Sequence, residues 1–133
     1  MSPLTDVLTQ QIIDRAQALA REQGFSICIS VVDAAGLLSG FLRMQDAVPG
    51  AIDVSLKKAR MAALFRTDSG EIGVAAQPGG ALYTLEASNG GLIGFGGGVV
   101  LHGPAGQVIG ALGIAGATLA ADQAIALAAA GRP

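Results

Sequence analysis

An α+β architecture, an antiparallel sheet of about five strands flanked by helices, is the fold class this sequence predicts. Three observations carry the prediction. The N-terminal segment repeats its apolar residues at helical spacing. The strand-like runs come in pairs joined by short glycine-containing turns, which are hairpins rather than strand-helix-strand units. Helical segments separate and follow those pairs, so the helices must pack on the sheet to bury their apolar faces.

Leu4, Val7, Leu8, Ile12, Ala16 and Leu19 define the first helix, with Ser2 and Pro3 as cap and first residue and Gly24 as the stop. From Phe25 to Val32 the period changes to two: Phe25, Ile27, Ile29 and Val31 alternate with Ser26, Cys28 and Ser30. The second set is small enough to lie under packed helices, so both faces of this strand are expected to be covered. Ala34-Ala35-Gly36 turns the chain into a second strand, Leu37 to Met44. Pro49 and Gly50 break it again, and Asp53 to Phe65 reads as a helix with Ile52, Leu56, Ala59 and Ala63 inward and Lys57 and Arg60 in water. Asp53 and Lys57 stand one turn apart in the favourable acid-before-base order. A short helix is expected within residues 66–80, and Ala81 to Glu86 fits either helix or strand. Glycines 90, 91, 94 and 96–98 form a loop whose backbone can approach a neighbour closely. Two further strands flank the turn from Gly103 to Gly106, and Thr118 caps a final alanine-rich helix that ends near Gly131.

The 133 residues are read as one domain spanning 1–133. Hydrophobic residues make up 51% and charged residues 14%, which excludes charge-driven disorder and leaves apolar surface for partners to cover; homo-oligomerisation is the expectation. A net charge of -2 with eight scattered Lys and Arg provides no basic stripe, so nucleic acid is not expected as a partner. No run of apolar residues approaches a membrane span, and the polar N-terminal helix is unlike a secretory leader. The single cysteine, Cys28, forms no internal disulfide and suits a reducing compartment. The expected location is the cytoplasm.

Several residues are candidates for chemistry. His102 is the one histidine, and the side chain whose ordinary pKa lies near neutrality; it reads as a general acid or base, or as an exposed turn residue. Metal sites built from several His or Cys ligands are excluded by count. The glycine cluster leads into a strand and lacks Gly-Lys-Ser or Gly-Lys-Thr, so it is not a nucleotide loop. Gly96, Gly97 and Gly98 either allow close backbone packing or present amides to a ligand. Arg43 and Lys58 would together bind a carboxylate if the strand end meets the helix; otherwise Arg43 pairs with Asp46 and Lys58 is solvated. Asp33 is a turn anchor or a ligand contact.

The segments VVDAAG (31–36), RMQDA (43–47), KKARMAALF (57–65) and GQVIGALGIAG (106–116) occur in the order and spacing of one family. The chain resembles the GlcG or HbpS haem-binding type, related to the C-terminal domain of PduO-type corrinoid adenosyltransferases. The resemblance spans nearly the whole chain and implies a profilin-like α-β-α sandwich, an oligomer and a small organic ligand, with haem as a candidate cofactor. In some relatives a first-helix histidine helps to bind iron, whereas here that helix carries Gln10, Gln11, Asp14, Arg15 and Gln17. RMQDA also departs from the more usual RMDGA, and Val100 stands where many members have proline.

The leading expectation is therefore a small-molecule-binding oligomer whose pocket uses Arg43, Lys58, Asp33 and the glycines at 96–98. The alternative is a cofactor-free isomerase or lyase acting on a small acidic or carbonyl metabolite, with Arg43 or Lys58 holding substrate and His102 or Asp46 moving a proton. A structural or regulatory assembly is the third.

Overall fold

The structure, a computed structural model, describes residues 3–133. Helix α1 (Asp6–Glu22) is followed by strands β1 (Cys28–Asp33) and β2 (Leu38–Arg43), helices α2 (Ala51–Phe65) and α3 (Ser69–Ala75), strands β3 (Gly98–His102) and β4 (Val108–Ala115), and helix α4 (Leu119–Ala129). Thr5, not Ser2, caps α1, its hydroxyl accepting from the Leu8 amide at 3.1 Å; Ser2 lies outside the described residues. Thr118 caps α4 as expected, accepting from the Ala121 amide.

All strand pairs are antiparallel, in the order β2-β1-β4-β3. Four strands form the sheet among the described residues, not five. The segment that could have supplied a fifth, Ala81 to Glu86, runs through turns into a single 3-10 turn at Leu85–Ala87, with Thr84 in the left-handed region at φ 83°.

The two faces of the sheet differ in residue size. One carries Ile29, Val31, Leu112, Ile114, Val99 and Leu101, and α1 and α4 close over it with Ile12, Ile13, Ala16, Ile125 and Ala126. The other carries Cys28, Ser30, Val32, Ala111, Gly113, Ala115 and Gly98, and α2 lies on it. The sheet is thus sandwiched between helical layers, and β1 and β4 are buried on both sides.

Small residues on that second face let α2 come unusually low. A Cβ at Gly113 would overlap the Ser55 carbonyl oxygen, and one at Gly98 would overlap the Lys58 carbonyl. The helix answers with its own small face, Ala51, Ser55, Ala59, Ala62 and Ala63. This reverses part of the expected orientation: Ile52 is 42% exposed and Lys58 is buried. The Ser55 and Ser30 hydroxyls, 2.7 Å apart, satisfy each other across the contact, and Ser55 also donates to Ile52 O. The Asp53–Lys57 pair forms at 2.8 Å on the outer side.

The edge of β3 is closed by side chains. Asp68 accepts from the Val100 amide at 2.9 Å, and Arg132 grips both Asp68 oxygens while donating to the Val100 carbonyl. Gly113→Ala should lower stability by about 2 kcal/mol, because the helix must lift off the sheet to admit the methyl group. Urea denaturation measures this, and an unchanged midpoint would show that the close contact is not needed.

Candidate functional site

The central feature is a lysine where a backbone amide should be. In the β3–β4 ladder, Gly97 stands opposite Ile114, and the Ile114 amide donates to the Gly97 carbonyl at 2.9 Å. A regular ladder would return the Gly97 N–H to the Ile114 carbonyl. Instead Gly97 adopts φ 121°, open to glycine, and its N–H turns to the Gln123 side chain at 2.8 Å. The Ile114 carbonyl is left to Lys58, whose Nζ donates to it at 2.9 Å and to Asp122 Oδ2 at 3.2 Å.

Lys58 and Asp122 are 1% and 3% exposed at their side chains, so the pair is desolvated. Asp122 sits in the first turn of α4, and its second oxygen accepts from the Ala117 amide at 3.0 Å, which fixes the carboxylate. Burial is the largest influence on Lys58 and pushes its amine below the ordinary lysine value; the Asp122 charge and hydrogen bond oppose this. Gly97 leaves the room that Nζ occupies, since a Cβ there would stand 2.9 Å from it.

This pair lines a cavity of about 320 Å3 whose other walls are apolar or backbone. Val48, Ala51, Val54, Phe95, Ala115, Ala117 and Leu119 line it. That volume lies at the lower end for small-molecule sites, and an apolar wall with a few convergent polar groups is their usual chemistry. Another cavity, of about 260 Å3 beside Gly73, Glu86 and Gly96, has one Glu86 oxygen accepting from the Gly94 amide.

The candidates from sequence fall into separate places. Lys58 lines the cavity, and Gly97 and Gly98 pack against it from behind, Gly97 beside its Nζ and Gly98 beside its carbonyl. Gly96 lines the neighbouring cavity. Arg43 does not reach Lys58; its guanidinium donates twice to the Ala47 carbonyl, at 3.1 and 2.8 Å, and so shapes the loop that carries Val48 and Gly50 to the cavity rim. Asp46 is exposed in that loop at φ 69°, with no ion pair to Arg43. Asp33 anchors its turn, Oδ1 accepting from the Ala35 and Leu37 amides at 2.9 and 3.0 Å. His102 is exposed at the far hairpin, its Nδ1 3.3 Å from the Gly106 carbonyl. Burial raises the Cys28 thiol, with Arg43 partly opposing, which suits an inert core residue.

Asp122 is the partner that the sequence reading missed. Its one signal was an acid set in an otherwise uncharged, alanine-rich stretch, LAADQAIALAAA, where a charge on a buried helix needs a partner. Among the described residues, no group of three or more His, Cys, Asp or Glu could hold a metal ion, and no helix is long and apolar enough to cross a membrane.

The family model for haem degrading proteins of the HbpS-like type matches residues 4–131. A 15.0 kDa protein from the dhaT-dhaS intergenic region of Citrobacter freundii is 36% identical over 129 residues, covering 95% of this chain and 89% of that one. The corrinoid adenosyltransferase PduO of Salmonella typhimurium is 38% identical over 120 residues, covering 90% of this chain and 34% of PduO. The chain thus spans about a third of the length of that enzyme. The crystal structure of the PduOC:heme complex superposes with a TM-score of 0.91 at 33% identity, covering 98% of this chain and 94% of that one.

Asp122→Ala should cost about 3 kcal/mol in urea denaturation at neutral pH, since it leaves a buried ammonium without its counter-ion. The pH dependence has a definite sign. Because the folded state holds the Lys58 proton less tightly than the unfolded chain, wild-type stability should rise with pH from the folded value up to the ordinary lysine range. In Asp122→Ala that window should open at lower pH; an unchanged profile would mean that Asp122 does not act on the amine.

Proposed function

Because the chain belongs to the HbpS-like family, we propose that it binds a small organic molecule with an apolar body and a carbonyl or carboxylate head. The observation that supports this most strongly is the desolvated Lys58–Asp122 pair set in the wall of an otherwise apolar cavity. The amine offers a charge-assisted hydrogen bond to an oxygen, and the apolar walls accept a short aliphatic or small ring body. In this reading Arg43 and Gly97 are positioning residues. Arg43 holds the rim loop, and Gly97 frees both the Ile114 carbonyl and the space beside Nζ. The enzyme reading loses its proposed acid and base at this cavity, since neither Asp46 nor His102 lines it.

Haem is the second reading, and the haem complex of PduOC favours it. The cavity lining does not fit an iron-ligated porphyrin, because it offers no imidazole, thiolate, thioether or phenol. The imidazole suited to iron is that of His102, on the exposed hairpin, with Nδ1 facing the Gly106 carbonyl. Haem bound through this chain's histidine would therefore sit outside the cavity.

Self-association is part of the proposal. Leu38 and Phe41, 54% and 38% exposed, pair with Val32 and Ser30 and so share the sheet face on which α2 lies, but α2 packs over β1, β3 and β4 and leaves them open. Ile52 adds an exposed apolar side chain on α2 itself. A second copy of the chain would cover this strip. The buried, unpaired thiol of Cys28 fits the reducing cytoplasm.

Calorimetric titration with short aliphatic carboxylates and ketones tests the cavity. Lys58→Met should weaken binding by about 1.5–3 kcal/mol, the scale of a hydrogen bond to a charged group. Ala117→Leu, at a partly exposed lining position, should weaken it sterically, and full affinity in both variants would move the ligand elsewhere. A Soret titration decides the haem reading: the band shift should persist in Ala117→Leu and vanish in His102→Ala, and survival in the latter would remove His102 as the ligand. Sedimentation velocity tests association, where Phe41→Glu should shift an oligomer toward monomer, and a monomeric wild type would refute it.

A further inference from the structure

We propose that Lys58 captures a small aldehyde covalently, as an imine formed inside the cavity. This rests on the cavity reading above and names its reaction class. The chain holds two lysines, at 57 and 58, and they differ sharply. Lys57 lies on the outer side of α2 in a surface pair with Asp53. Lys58 is enclosed, lines the cavity, and stands 3.2 Å from one oxygen of a fixed carboxylate.

Imine formation needs an amine that can lose its proton and a group to take that proton and return it. Asp122 Oδ2 lies within reach to take a proton from the ammonium, and burial already disfavours the charged amine. The neutral Nζ then attacks the aldehyde carbon, forming the C–N bond, and the carbonyl electron pair moves to oxygen. That oxygen takes a second proton from the nitrogen, giving a neutral carbinolamine. Asp122 then returns its proton to the hydroxyl, the C–O bond breaks, and water leaves as the nitrogen lone pair forms the C=N bond. One ammonium and one aldehyde become one protonated imine and one water, with the positive charge conserved. The remaining N–H can keep one of the two existing hydrogen bonds, to Ile114 or Asp122. The alkyl tail lies against Ala51, Val54 and Leu119, apolar walls that cover one side of the product.

The composition makes the experiment clean, since Lys57, Lys58 and the chain's N-terminal amine are the primary amines present. Wild-type protein is incubated with butanal and sodium cyanoborohydride, which fixes any imine as a secondary amine, and the modified site is mapped by peptide mass spectrometry. The expected result is alkylation at Lys58 several-fold above Lys57, although Lys57 is the more exposed. Lys58→Arg should remove that label, and Ala117→Leu should reduce it, with Lys57 labelling unchanged in both. Label confined to Lys57 and the N-terminus in wild type overturns the proposal, and this arm depends on no variant's folding. Butanoate titrated in parallel separates the two ideas. Binding of butanoate without label at Lys58 leaves the cavity reading standing and the imine refuted; absence of both refutes both.

Discussion

Contact between the backbone of α2 and the sheet at Gly98 and Gly113 sets the position of nearly everything that matters here. A helix on a sheet is normally held off by a layer of side chains. Here the Ser55 and Lys58 carbonyls occupy the space of two missing β-carbons, so side chains on that face of α2 have no depth in which to extend. Alanine and serine fill such a face at little entropic cost. Lysine does not, and Lys58 must run sideways along the sheet to the end of the ladder. There it finds the Ile114 carbonyl that the left-handed turn at Gly97 has left without its usual donor.

The pair at the end of that path is a poor device for stability alone. Two charges stripped of water regain through mutual attraction only part of their hydration energy, and an apolar pair of similar shape would commonly serve the fold as well. Their hydrogen bonds to Ile114 and Ala117 recover more, and no described side-chain polar atom buried in the molecule lacks a partner. The arrangement is therefore satisfied and costly, a combination that tends to mark functional sites. Its place in an apolar cavity wall, rather than in the middle of the core, supports the same view.

Much of the fold was legible because its signals are local. Period-two alternation around Cys28, short turns at Gly36 and Gly106, and the Thr118 cap each act within a few residues, and all appear, although the first strand begins at Cys28 rather than Phe25. What failed depended on depth. Helical periodicity turns the larger apolar residues inward, and it placed Ile52 toward the core; the glycines of the sheet reverse that choice by admitting only small ones. The Ala81–Glu86 segment failed for another reason, since both periods fit it and the left-handed Thr84 that excludes a strand leaves no mark in sequence. In the site, Lys58 was readable through the 57–65 segment of the family resemblance and Gly97 through the glycine cluster. Asp122 lies 64 residues from Lys58, and only the packing of α4 brings them together.

The Asp68–Arg132 grip on β3 bears on how the sheet can be extended. A sheet has two rims, and each bare rim is a template for another strand. At one rim the Val100 N–H and C=O are already taken, by a carboxylate and a guanidinium that themselves hold each other. A foreign strand arriving there would have to displace an ion pair to gain its hydrogen bonds. At the opposite rim, β2, no side chain among the described residues holds the backbone in this way. The two rims are therefore unequal: adding a strand beside β3 costs the Asp68–Arg132 contacts with Val100, a cost that the β2 rim does not carry.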